Sequence, residues 1–206
     1  MIEELAHIDK QLFILLNELR SPVLDDFFWI ITKTSTWIPF FAAIVYVLLR
    51  SETQKFKYNN LKILGLFALC IGLVILLADQ TASGFAKPFF ERFRPSHEPD
   101  LEGIVNLYTK NDGSVYHGGT FGFFSSHACN SFGIAAFVIG ILQNKRAFWV
   151  MGIWAFFFSY SRIYLGVHYP GDILVGAVVG SFYGWVVSLL FRKVKSKYWS
   201  EPQPRS

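Results

Sequence analysis

Residues 161–172 read SRIYLGVHYPGD, from Ser161 to Asp172, and lie between two apolar runs, 147–160 and 173–191. Each run is long enough to cross, or nearly cross, a bilayer. An Arg, a His and an Asp at such an edge are costly unless paired or functional. Pro170 suits the first position of a helix, where its missing N–H is an orphan in any case. Asp172 then falls in the first helical turn, within reach of His168. A carboxylate on one imidazole nitrogen fixes the tautomer and leaves the other nitrogen basic and nucleophilic. Arg162 adds a planar fork suited to phosphate oxygens. On this stretch alone, a structural belt of Arg and His with an N-terminal helix carboxylate stands on equal terms with catalysis.

Working outward, the composition puts this stretch in a membrane. Hydrophobic residues make up 52% of the 206-residue chain and charged residues 17%. That is too apolar for an ordinary soluble domain, and the apolar residues come in blocks. The length suits one domain, 1–206. No basic stripe interleaved with aromatics occurs in a polar segment, which argues against nucleic acid as a partner. Cys70 and Cys129 both lie in apolar runs and read as buried free thiols. No metal site and no cofactor is expected, because no acidic or Cys/His cluster has ligand spacing. The start, MIEELAHIDK, is acidic and does not read as a cleavable signal.

The expected architecture is an all-α integral membrane bundle of about five to six transmembrane helices. Residues 1–22 read as an amphipathic helix, with Leu5, Ile8, Leu12, Leu15, Leu16 and Leu19 on one face. The membrane segments are placed at 27–49, bent near Pro39, then at 61–83, 127–142, 147–160 and 173–191. Residues 85–126 form a long polar connection, a length that marks a functional or disordered loop. Five crossings put the loops at 50–62 and 143–146 on one side with the C-terminal tail. That side holds Arg50, Lys55, Lys57, Lys62, Lys145, Arg146, Arg192, Lys193, Lys195, Lys197 and Arg205 against Glu52 and Glu201. By the positive-inside rule it is cytoplasmic, so 85–126 and Ser161–Asp172 share the outer face.

Three polar clusters gather on that face. Lys87 and Arg94 lie seven residues apart at a helix end and can hold two oxygens of one phosphate; taken alone, the cluster favours snorkelling at the interface. Ser125, Ser126 and His127 open the third membrane segment. A helix N-terminus there can be capped by serine or can bind an anion. His127 is placed to protonate a leaving oxygen. Ser161–Asp172 is the third cluster. His97 and His117 read as solvated loop residues, and Asp79 as the partner of a basic group. Phe121, Phe123 and Phe124 read as interfacial aromatics, and Gly113, Gly118, Gly119 and Gly122 as flexible spacer.

Together KxxxxxxRP at Lys87–Pro95, Ser-x-His at Ser125–His127 and SRxxxxxHxxxD at Ser161–Asp172 resemble the type-2 phosphatidic acid phosphatases. These are the membrane branch of a superfamily that also holds vanadium haloperoxidases. The family usually has Pro-Ser-Gly-His where this chain reads Phe124-Ser125-Ser126-His127. The resemblance runs from about Leu61 to Phe191. It implies that His168 attacks phosphorus and forms a phosphohistidine, with Asp172 orienting it and His127 as general acid. It further implies that Lys87, Arg94, Ser125, Ser126 and Arg162 hold the phosphoryl oxygens, without metal. The expected substrate is a lipid phosphate or diphosphate at the outer leaflet, with the protein in a bacterial inner membrane. Undecaprenyl diphosphate, phosphatidylglycerol phosphate, phosphatidic acid and lipid A all fit. A lipid phosphotransferase would use the same phosphohistidine. An anion transporter fits less well, since the charges collect at one face.

Overall fold

Gly176, Gly180, Gly184 and Ser188 recur at intervals of four, and this stripe of small residues sets how the helices pack. In the computed structural model, which describes residues 2–53 and 60–199, the stripe lies on helix α8 (Pro170–Trp199). It faces α6 (Ser126–Leu142). A Cβ at Gly176 would sit 2.7 Å from the Ser125 carbonyl oxygen, and at Gly180 and Gly184 it would collide with the carbonyls of Cys129 and Gly133. Hydrogen alone at these places lets the two backbones touch, which is how helices associate where no water drives them together.

The remaining helices are α1 (Ile2–Asn17), α2 (Pro22–Ile31), α3 (Ile38–Thr53), α4 (Asn60–Asp79), α5 (Lys87–Phe90) and α7 (Lys145–Tyr164). Ile63, Phe67 and Val74 of α4, Phe137 and Val138 of α6, Met151 and Trp154 of α7, and Val187 and Phe191 of α8 form the main core. Cys70 and Cys129 are buried free thiols. A wider, π-helical stretch, Gln80–Ala86, joins α4 to α5. Such widened turns are rare and gather at functional sites.

The chain is helical, as expected, but fewer helices qualify as spans than the expected five to six. Among the described residues, Leu61–Phe90 and Pro170–Tyr198 are long and apolar enough to cross a membrane, and α2 with α3 makes a third if counted as one bent span. At 17 residues α6 reaches only about 25 Å, and α7 carries Ser159, Ser161 and Arg162 on its buried side. The bend within 27–49 is not at Pro39. The axis turns by 74° at the break after Ile31, while Pro39 sits in the first turn of α3, where its missing N–H costs nothing. Lys55, Lys57, Glu201 and Arg205, used above to orient the chain, lie outside the described residues.

The first helix turns its sides opposite to a simple surface helix. Leu5, Ile8, Leu12, Leu15 and Leu19 face away from the protein, whereas Phe13 and Asn17 are buried in it. Asn17 donates to the carbonyls of Asn106, Ile163 and Tyr164 at 3.0–3.3 Å and accepts from the Asn106 N–H at 2.8 Å. Two of those carbonyls end α7, so a side chain of α1 caps it. The connection after α5 is ordered by backbone pairing. Arg94 N–H donates to Thr120 O at 3.0 Å, Gly122 N–H to Arg92 O at 2.8 Å and Tyr116 N–H to Tyr108 O at 2.9 Å.

Candidate active site

His168 lies in the short turn between α7 and α8. The chain can turn there because Gly166 has φ +76°, and a Cβ on it would lie 2.7 Å from Leu107 Cδ2. Pro170 opens α8, and Asp172, in its first turn, accepts from the Tyr169 N–H at 3.0 Å. This carboxylate reaching back over the helix start is half of a capping box. The same oxygen, Oδ2, accepts from His168 Nδ1 at 3.3 Å. The structural and catalytic readings of Asp172 therefore describe one atom with two partners.

The other ring nitrogen faces Arg94. Arg94 Nη1 is 2.8 Å from His168 Nε2 and 3.1 Å from the Val167 carbonyl. A guanidinium only donates, so Nε2 must carry the lone pair and Nδ1 the proton. The ring is held as the neutral tautomer with its basic nitrogen turned to the cations. His168 is 1% exposed. Burial drives its pKa well below the ordinary imidazole value; the charges of Arg94, Arg162 and Lys87 push the same way, and the Gly122 backbone pushes against them. Burial, with the neighbouring Arg162, lowers Arg94 to about 10.

Arg94 is seated by glycine. A Cβ on Gly122 would come 3.0 Å from Arg94 Cγ and 3.3 Å from Asp172 Oδ2, and one on Gly118 (φ +71°) 3.3 Å from Arg94 Nη1. These two glycines leave space for the guanidinium, a role different from the flexible spacer read in the sequence. Arg94 Nε also donates to the Phe121 carbonyl at 3.1 Å.

Lys87 approaches from the end of the π-helical stretch. Its Nζ donates to Ser126 Oγ at 2.7 Å and Ser83 Oγ at 2.9 Å. Ser125 is fully buried and caps α6, its Oγ 3.4 Å from the Ala128 N–H. The serine that meets the lysine is therefore Ser126, at the position where the family usually has Gly. Arg162, in the last turn of α7, donates from Nη1 to Thr32 Oγ1 and from Nη2 to Tyr116 Oη, both at 2.7 Å. His127, in the first turn of α6, stacks on Phe158 with ring centres 5.6 Å apart. The charges of Lys87, Arg94 and Arg162 bear on both His127 and His168, so the three motifs form one cationic site.

Other residues fall differently from their sequence reading. Asp79 accepts from Asn130 Nδ2 at 2.9 Å, an amide in place of the expected cation. Phe124 is buried, not interfacial. His97 and His117 are exposed, as expected, with ring centres 5.8 Å apart. Arg92 lies within the Lys87–Pro95 motif at none of its defining positions, and its Nη1 donates to Asp172 Oδ1 at 2.9 Å. Asp9, Thr32, Ser83 and Tyr116 were also missed. Asp9, Thr32 and Tyr116 lie far along the chain from their partners, Ser83 lies one helical turn before Lys87, and no motif marks any of them. Among the described residues no three His, Cys, Asp or Glu side chains converge as metal ligands.

A model of the PAP2 superfamily matches residues 66–196. A protein of Bacteroides thetaiotaomicron named Lipid A 4'-phosphatase is 38% identical over 205 residues, covering 98% of this chain and 84% of the relative. One of the same name from Porphyromonas gingivalis is 34% identical over 198 residues, covering 96% and 78%. The crystal structure of Aquifex aeolicus LpxE superposes with a TM-score of 0.62 at 28% identity, covering 87% of this chain and 93% of that one. A transmembrane PAP2-type phosphatidylglycerolphosphate phosphatase from Bacillus subtilis superposes with a TM-score of 0.64 at 22% identity, covering 93% and 88%. The last likeness bears on the fold alone.

Proposed function

Since the chain belongs to the PAP2 superfamily and is a phosphatase, we propose that it removes a phosphate from a lipid through a phosphohistidine on His168. The observation that carries this reading is the imidazole held between Asp172 and Arg94 with its lone pair on Nε2. In the first step Nε2 bonds to phosphorus and the ester P–O bond breaks. His127, protonated, gives its proton to the departing oxygen. Asp172 stabilises the positive charge that forms on the His168 ring. In the second step water attacks phosphorus, His127 takes the water's proton, the P–N bond breaks and phosphate leaves. Lys87, Arg94, Arg162, the Ser126 hydroxyl and the first N–H groups of α6 carry the charge that builds on the equatorial oxygens, while Ser125 holds that helix end in place.

Lipid A carrying a 4'-phosphate is the substrate we favour, because both curated relatives bear that name across nearly this whole chain. Phosphatidylglycerol phosphate, phosphatidic acid and undecaprenyl diphosphate are the competitors. We further propose five to six crossings of a bacterial inner membrane, with α6 and α7 as short internal spans. The apolar stripe of α1 would lie in the outer interface, the site would open outward and the C-terminus would be cytoplasmic.

The test is phosphate release by the purified protein in detergent, with chelator, across those four lipids and alongside His168→Ala. Release from lipid A alone, abolished in the variant, supports both substrate and nucleophile. Preference for another lipid overturns the substrate, and activity retained by His168→Ala overturns the mechanism. Transfer of labelled phosphate to an added lipid alcohol in place of water would mark a phosphotransferase.

A further inference from the structure

Arg92 stands at no defining position of the Lys87–Pro95 motif and Asp9 lies outside all three motifs, yet they complete the surroundings of Asp172. Asp172 is fully buried. Its Oδ2 serves Tyr169 N–H and His168 Nδ1, and its Oδ1 accepts from Arg92 Nη1 at 2.9 Å. The other arm of that guanidinium, Nη2, donates to Asp9 Oδ2 at 2.7 Å. Asp9 Oδ1 accepts from the Gly171 N–H at 2.7 Å, a bond across 162 residues of sequence. The Arg92 guanidinium also lies 4.1 Å from the ring centre of Tyr169, which is itself buried edge-on against Phe13 of α1. One helix thus fixes both the cation that serves Asp172 and the first turn that carries it.

A buried carboxylate stays ionised only with a bonded cation beside it. His168 is neutral and Arg94 turns its Nη1 to the imidazole, so among the described residues Arg92 is the cation that hydrogen-bonds to Asp172. We propose that Arg92 and Asp9 are positioning residues for the nucleophile. In this relay Asp9 aims Arg92, Arg92 keeps Asp172 ionised, and Asp172 holds the proton on His168 Nδ1 so that Nε2 carries the lone pair. The inference rests on His168 being the nucleophile. It makes α1 a working part of the site, beyond any role at the membrane surface.

The charged and titratable groups that bear on Asp172 are Arg92 and Arg94 from the segment after α5, Lys87 from α5, His168 and Tyr169 from the turn, and Asp9 from α1. Removing Arg92 leaves the carboxylate easier to protonate, so the acid limb of activity must move to higher pH. Asp9→Asn keeps an oxygen for the Gly171 N–H and puts an NH2 group where Oδ2 accepted from Arg92, so it removes the charge and the acceptor that aim Arg92. The full-length protein in detergent is assayed on lipid A and on phosphatidic acid.

For Arg92→Gln we expect kcat to fall by roughly 10- to 100-fold with KM within about threefold, and the acid limb of kcat/KM to rise by about one pH unit. Arg92→Lys restores a large part of the loss. Asp9→Asn costs about three- to tenfold, and nothing further when added to Arg92→Gln. An unmoved acid limb in Arg92→Gln, or an independent loss from Asp9→Asn on top of it, overturns the relay. If Arg92→Gln does not fold, Arg92→Lys and Asp9→Asn decide by the same criteria. Should His168→Ala remain active, the catalytic reading falls and the relay with it. If His168→Ala is dead while both positioning variants match wild type, only the relay falls.

Discussion

Two distant parts of the chain build the surroundings of one buried carboxylate, and they do so differently. From the C-terminal side, His168, Tyr169 and Asp172 arrive within five consecutive residues, their geometry set by a turn and the first winding of α8. From the N-terminal side, α1 arrives through Asp9 and Asn17, whose partners lie 83 to 162 residues away for Asp9 and 89 to 147 for Asn17. The local half gains its precision from covalent proximity, since few dihedrals separate donor from acceptor. The remote half gains it from side chains buried against another helix's end. A site built this way has chemistry encoded in short motifs and rigidity supplied from elsewhere. Loss of the local chemistry should therefore show in activity, and loss of the Asn17 cap in stability.

His168→Ala tests the local half and carries the largest expected effect. Activity falls at least about 10⁴-fold with the thermal midpoint nearly unchanged, measured by phosphate release and by melting in detergent. Arg94→Lys comes next. Lysine cannot bridge the imidazole, the Val167 carbonyl and the Phe121 carbonyl as the guanidinium does, and we expect a loss of about 10²- to 10³-fold in kcat/KM.

On the remote side, Asn17→Ala strands the carbonyls that end α7. It should cost about 1–3 kcal/mol of stability, read as a lower melting temperature, with kcat per folded molecule close to wild type. A large kcat loss without a change in melting would erase the contrast between the halves.

A pH series sharpens the contrast further. His168 has a folded pKa well below the ordinary 6.5, so the unfolded chain binds the proton first. Its contribution to stability is complete above about pH 6.5 and is lost as pH falls towards the folded value. The slope is at most about 1.4 kcal/mol per pH unit for one group. Comparing His168→Ala with wild type in acid melting curves isolates it. Ser126→Gly, which restores the family's usual residue, has the smallest expected effect. Lys87 keeps Ser83 as an acceptor, and kcat/KM should move by no more than about tenfold.

Much of this was legible in the sequence for a definite reason. Lys87, Arg94, His168 and Asp172 stand at fixed spacings because helix starts and short turns convert sequence distance directly into spatial distance. Apolar blocks announced helices for a similar reason. The number of crossings is harder to read, because α7 places Ser159, Ser161 and Arg162 in the interior and so lowers its own hydropathy. Arg92 was visible as a residue but not as a partner. Asp9 read as one polar position among several on an amphipathic face. In the fold Asp9 and Asn17 turn inward with Phe13, while Leu5, Ile8, Leu12, Leu15 and Leu19 point outward and Glu3, Glu4 and Glu18 stay exposed.

The sequence by itself determined a helical membrane protein, the phosphatase motifs and the residues that belong to each, since all of these depend on local periodicity and spacing. Only the tertiary structure decided which serine meets Lys87, where the chain bends before α3, which tautomer His168 adopts and which helix secures Asp172. Each of those is settled by what packs against a side chain from a distant segment, and a buried polar atom takes whichever partner the packing brings within hydrogen-bonding distance.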